Sequence, residues 1–195
     1  GDVRFVTIAR DITQRKRIEE SLRASEMQLN RILESTADGI LAVDREGQVI
    51  RTNRRFAELW RIPQELLDRR DDVAMLQYVV EQLADPDAFM EKLRSLYQSN
   101  AEQIDIVDFR DGRKFKRYTA PMILNDEVVG RVWSFQDITE SLRAAAALAD
   151  SHRLLQTIID TAPMRVFWKD TDLRFLGCNP AFARDAGQVR PEDVI

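Results

Sequence analysis

The tripeptide Asp-Ile-Thr occurs twice, at Asp11 to Thr13 in "ARDITQRKRIEESL" and at Asp137 to Thr139 in "FQDITESLRAAAAL", an offset of 137 − 11 = 126 residues. Applied without a gap, the same offset lays "SEMQLNRILES" on "SHRLLQTIIDT" and "ILAVDREGQVIRTNRRFA" on "VFWKDTDLRFLGCNPAFA". Identities fall at Leu22 and Leu148, Leu29 and Leu155, Ile32 and Ile158, Asp44 and Asp170, Asn53 and Asn179, and Phe56 and Phe182. A long period without gaps marks modules in series, so the repeating unit is one linker plus one domain. The expected organisation follows. Residues 1–13 end one module, 14–34 are a helical linker, 35–139 are a complete module, 140–160 are a second linker, and 161–195 open a further module. On this reading the chain is cut from a longer protein. A complete module of this size can bury its own core.

Within the complete module, "GILAVD" and "QVIRT" read as strands joined by a tight turn across Arg45 to Gly47. Asn53 then suits a helix N-cap for "NRRFAELW", and its counterpart Asn179 precedes Pro180, which suits the first helical position. "DDVAMLQYVVEQLA" and "PDAFMEKLRSLYQ" carry apolar residues at three- and four-residue spacings and read as helices. After Ser99 come three extended runs, "EQIDIVDF", "KFKRYTAPMIL" and "VVGRVWSF", separated by turns at Asp111-Gly112 and Asn125-Asp126. Two strands, several helices and three strands predict an α+β fold, an antiparallel sheet with its helices on one face.

That order, closed by Asp-Ile-Thr and followed by a helical linker into a copy of itself, resembles the PAS sensor family. The resemblance rests on "DGILAVDREGQVIRTNRRFAEL", "RDGRKFKRY" and "GRVWSFQDIT". It implies a five-stranded antiparallel sheet cupping a pocket, flanked by helical linkers. It also implies a ligand-sensing or relay module upstream of a histidine kinase or cyclic-di-GMP output, with a ligand-free dimerisation and relay module as the alternative.

Ile18, Leu22, Ser25, Leu29 and Ile32 form a heptad seam, repeated as Ala144, Leu148, Ser151, Leu155 and Ile158. A parallel coiled-coil homodimer is expected from these stripes, the alternative being helices packed on their own domain's sheet. Asp137 with Glu140, and Asp11 with Gln14, have capping-box spacing, and Thr13 and Thr139 add a second local acceptor. A strand there hands over to a linker helix. The resemblance makes Asp11, Thr13, Asp137 and Thr139 signal-relay residues, beside their plain role as helix starts.

The two-residue period puts Phe115, Arg117 and Thr119 on one face of their strand, and Arg131, Trp133 and Phe135 on one face of the next. An odd-length loop at Asn125-Asp126 sets Thr119 opposite Trp133, and a two-residue loop sets Tyr118 there. By resemblance, Arg131 and Trp133 face the pocket. Arg117, Thr119, Arg131, Trp133 and Phe135 are the candidate ligand residues, and arginines beside a tryptophan suit a carboxylate or other small organic anion. The alternative is ion pairs from these arginines to helix acids such as Glu58 or Glu91.

The only histidine, His152, lies in the second linker, which excludes a histidine-ligated haem inside the complete module. The only cysteine, Cys178, falls in a strand of the second copy, not in the helix where flavin-reactive photosensors carry theirs, so a buried thiol without flavin chemistry is expected. No phosphate-cradling glycine loop and no metal-ligand spacing appear, and the chain reads as non-enzymatic. A net charge of −4 with both signs interspersed gives no cause to expect nucleic acid, and no apolar run is long enough to span a bilayer. A cytoplasmic setting is the expectation.

Overall fold

The computed structural model describes residues 13–69 and 71–194. The expected strand before Asp11, and Asp11 itself, lie outside the described residues; Thr13 enters only as the first residue of a helix. The chain divides into two compact units, one closing at Thr139 and the other beginning at Glu140.

In the first unit, helix α1 (Thr13–Glu34) leads into strands β1 (Gly39–Asp44) and β2 (Val49–Thr52). Helices α2 (Arg54–Leu59), α3 (Gln64–Arg69), α4 (Asp72–Glu81) and α5 (Pro86–Tyr97) follow, then strands β3 (Gln103–Asp108), β4 (Lys114–Leu124) and β5 (Glu127–Asp137). The sheet is antiparallel with order β2-β1-β5-β4-β3. Local chemistry explains the helix starts. The Asn53, Asp71 and Asp85 side chains each accept from the backbone N–H three residues on, and Pro86 fills the first position of α5. The single turn and a half of α3 is too short to show a period, and the sequence pattern did not reveal it.

One face of the sheet carries the core. Phe115, Trp133 and Phe135 meet Phe56, Trp60, Met75, Val79 and Leu96 from the helices. Trp60 sits at its centre with ring centroids 5.0 Å from Phe109, 5.2 Å from Phe135 and 5.7 Å from Phe115. Each such aromatic pair adds about 0.5 to 1.5 kcal/mol beyond area burial.

The β4–β5 hairpin has the Thr119–Trp133 register but not the odd-length loop expected to produce it. The loop is the two-residue Asn125-Asp126, with both residues at positive φ, yet Thr119 and not Tyr118 faces Trp133. Met122 pairs with Gly130 and Ile123 with Val128, so Val129 is an extra residue, a β-bulge that absorbs the one-residue difference. Gly130 is required there. A Cβ on it would run into the Val43 carbonyl oxygen and stand 2.7 Å from Met122 Cε.

Asn53 does more than cap α2. Its Oδ1 accepts from Ile40 N at 2.8 Å and Phe56 N at 2.9 Å, while Nδ2 donates to Leu33 O at 3.0 Å and Asp38 O at 2.9 Å. One carboxamide thus joins the last turn of α1 to β1 and α2. Helix α6 (Thr139–Thr161) starts at the boundary, and the second unit continues with strands β6 (Phe167–Lys169) and β7 (Phe175–Cys178), helix α7 (Pro180–Asp185) and a 3-10 turn (Pro191–Val194). There Asn179 Oδ1 accepts from Val166 N and Phe182 N, and its Nδ2 donates to Ile159 O and Met164 O. Every one of these partners lies 126 residues after its counterpart. Asp44 and Asp170 repeat likewise, each accepting two turn N–H groups. The turn that Gly47 makes at φ 84° is made by Leu173 at φ 63° in the second copy.

Candidate functional site

Between the inner face of the sheet and helices α4 and α5 lies a cavity of about 290 Å³. Its walls are mostly apolar: Leu41 and Val43 from β1, Met75 and Val79 from α4, Phe89 and Leu93 from α5, and Phe56 and Trp60 beneath. Of the five residues expected at a pocket, Arg117, Trp133 and Phe135 line it. Thr119 and Arg131 are buried on the same sheet face but do not line the cavity.

The two arginines have different environments. Arg131 donates to the Thr119 hydroxyl at 3.1 Å, to Ala101 O at 3.2 Å and to Ser99 O, tying the α5–β3 connection to the sheet. Burial lowers its pKa, opposed by the nearby Tyr97. Tyr97 is raised by burial and by the Asp44 carboxylate, with Arg131 opposing. Arg117, 2% exposed, spends Nε and Nη2 on the two oxygens of Asp105, at 2.8 and 2.6 Å. Its guanidinium lies 4.9 Å from the Phe89 ring centroid and 5.3 Å from that of Trp133. Nη1 is buried and has no hydrogen-bond partner, and the indole N–H of Trp60 on the same cavity wall is in the same state. Buried donors are almost always paired, so these two, on residues that both line the cavity, stand out.

Neither expected helix acid serves these arginines. Glu58 pairs with Arg54 and Arg55 on its own helix, no ion pair involving Glu91 occurs among the described residues, and Asp105 on β3 takes Arg117 instead. The site residues that sequence reasoning missed are Trp60, Phe89 and Asp105. Asp105 could have been found from the β3–β4 register, which sets it directly opposite Arg117.

At the outgoing end, Asp137 Oδ1 accepts from Thr139 N at 2.9 Å and from the Thr139 hydroxyl. Thr139 Oγ1 in turn accepts from Lys114 N at 2.9 Å, while Lys114 O accepts from Ile138 N at 3.0 Å. The peptide of Lys114, at the start of β4, is held from both sides. The expected capping box is corrected. Helix α6 starts at Thr139, so Ile138 occupies the cap position and Asp137 stands one residue outside it. Among the described residues no hydrogen bond joins Glu140 to Asp137.

The seam residues are all solvent-exposed: Ile18, Leu22, Leu29 and Ile32 on α1, and Leu148, Leu155 and Ile158 on α6. Packing of the α1 stripe on its own domain's sheet is therefore corrected. His152 is exposed on α6, and Cys178 is buried with Sγ 3.8 Å from Pro191 O.

The family model described as "PAS fold" matches residues 33–146, the whole five-stranded sheet and the start of α6. The chain belongs to the PAS fold family. A curated relative, sporulation kinase E of Bacillus subtilis, is 29% identical over 66 residues, which are 34% of this chain and 9% of that protein. The chain thus spans a small part of the relative it matches. Among solved structures, the PAS domain of BvgS from Bordetella pertussis is 18% identical, covering 66% of this chain and 98% of that one with a TM-score of 0.44. The PAS domain of an HTR-like protein from Haloarcula marismortui is 17% identical, covering 63% and 99%, with the same TM-score of 0.44. PAS domains are sensory domains. No helix of the described residues is long and apolar enough to cross a membrane.

Proposed function

We propose that residues 35–139 are a sensory PAS module that binds a small apolar molecule carrying a hydrogen-bond acceptor, and that the helices at its two ends pass the occupancy on to an output domain. The observation that carries this reading is the mostly apolar cavity together with two of its lining residues, Arg117 and Trp60, each of which keeps a buried, unpartnered donor. An acceptor that reaches either of them supplies what the protein leaves unmade, worth about 1 to 3 kcal/mol per buried group. The Lys114 clasp supports the second half of the reading, because it joins the sheet that walls the cavity to the start of α6. The likeness to a sporulation kinase supports a histidine kinase as the output.

The test is direct. Native mass spectrometry of the purified chain is expected to show an added small-molecule mass. Arg117→Met is expected to lose it while keeping its far-ultraviolet circular dichroism. A wild-type chain with no added mass, and an Arg117→Met variant that simply melts higher, would favour the ligand-free alternative.

A second reading has its own observation, the two exposed heptad seams. In it, residues 14–34 and 140–160 pair in a parallel dimer, between module ends at 1–13 and 161–195, and Asp11, Thr13, Asp137 and Thr139 mark the handovers. The hydrogen bonds that Asn53 and Asn179 repeat at one offset support the tandem arrangement. Both readings can hold together, since a dimer of sensors needs both features.

A further inference from the structure

Arg117 stands between two spaces. On one side is the apolar cavity; on the other is a surface cleft of about 340 Å³ between the start of α5 and edge strand β3. Only Phe89 and Arg117 line both, so their stacked pair forms the partition. The cleft also carries Asp105 and Lys92. The Arg117 side chain is 3% exposed and that of Asp105 is 25% exposed. The acid can therefore reach water by a small movement, whereas the arginine cannot.

Strand β3 has an inverted pattern that makes sense in this light. Ile104 and Ile106 point outward, 60% and 54% exposed, while Asp105 is turned to the side of the buried arginine. Burying a guanidinium without an anion is strongly unfavourable, which accounts for Asp105 facing inward. The same argument limits the pair. A second carboxylate arriving at Nη1 would set two anions on one buried guanidinium, which a low-dielectric surrounding disfavours. Of the two carboxylates, Asp105 is the one beside an exit, the cleft that it shares with Lys92.

Resting on the ligand-binding reading above, we infer that the cavity's ligand is a carboxylate with an apolar body, and that its head exchanges with Asp105 for Arg117, sending Asp105 outward to Lys92. A neutral acceptor has no such effect: it takes Nη1 and leaves the ion pair standing. Asp105 is thus a competitor that sets the threshold for carboxylates, and the exchange moves the event from the cavity to the surface beside β3.

Isothermal titration of the whole chain with octanoate and octanamide tests this. Asp105→Asn is expected to bind octanoate about tenfold more tightly than wild type, with octanamide changed by less than about twofold. Lys92→Met, an exchange on a partly exposed helix face that leaves the core untouched, is expected to weaken octanoate by about threefold and to leave octanamide alone. Octanoate binding that appears only in Asp105→Asn also supports the exchange. Weaker octanoate binding in Asp105→Asn, equal shifts for both ligands, or a Lys92→Met variant identical to wild type would overturn it. Octanamide binding without octanoate binding in any variant overturns the exchange but leaves the sensing reading standing. No binding of either probe to any of the three proteins removes the sensing reading for this ligand class, and the exchange with it.

Discussion

Asn53→Ala separates a simple helix cap from a structural tie. Loss of an N-cap side chain costs about 1 kcal/mol. The structure adds a second loss. The N–H of Ile40 has Asn53 Oδ1 as its only partner among the described residues, and Asn53 is 2% exposed, so the alanine leaves a donor unpaired where water has little access. An orphaned buried donor costs about 1 to 3 kcal/mol. Phe56 N keeps a backbone acceptor, and the Thr36 hydroxyl can still donate to one of the two carbonyls, at 2.8 Å to Leu33 O or 3.1 Å to Asp38 O, so these soften the loss only locally. The expected destabilisation is about 3 kcal/mol by these two contributions. Urea unfolding followed by tryptophan fluorescence reads it mainly in the first unit, because Trp60 and Trp133 are buried there while Trp168 is already 39% exposed. Asn53→Asp sharpens the test. Aspartate is an excellent cap and keeps both bonds to Oδ1, but it turns an anion toward the carbonyls of Leu33 and Asp38. It is expected to be about as damaging as alanine. If Asn53→Asp stays within about 0.5 kcal/mol of wild type, the residue is only a cap and the tie to α1 carries no energy.

Thr139→Val removes the acceptor of Lys114 N and should cost about 1 to 2 kcal/mol in the same urea assay. Gly130→Ala drives a methyl into the Val43 carbonyl and the Met122 side chain and should cost about 3 kcal/mol or prevent folding, read as melting temperature or soluble yield. Leu22→Asp with Leu29→Asp alters two residues 58% and 59% exposed, so the melting temperature should hold while light scattering reports a monomer. An unchanged mass in that variant would argue against pairing through α1.

What was legible in the sequence was local or repeated. Asn53, Asp85 with Pro86, and the turns at Gly47 and Gly112 act on neighbours within a few residues, so their chemistry can be read along the chain. The period of 126 residues survived because the residues that recur make the same bonds. What failed depended on counting across strands. A bulge at Val129 is one additional residue with no compositional mark, and it decides which residue of β4 faces Trp133. Asp105 was missed because hydrophobicity alone sends Ile104 and Ile106 inward, whereas a buried arginine on the next strand reverses the order. The apolar walls at Phe89 and Leu93 carry ordinary helical spacing, and nothing in that spacing distinguishes a residue beside a cavity from one in a filled core.

The clasp at the start of α6 bears on how such proteins can vary. Lys114 contributes only its main-chain N–H and C=O to Ile138 and Thr139, so its side chain is free to change without loosening the joint. Proline is the exception, since it removes the N–H. At position 139 the requirement is a hydroxyl that accepts from one side and donates to the other; serine meets it and valine does not. Drift at this joint should therefore be lopsided, with position 114 held at its side chain only by the exposed pair to Asp108 and position 139 confined to two residue types. Two related chains could share the contact while agreeing at only one of the positions that make it.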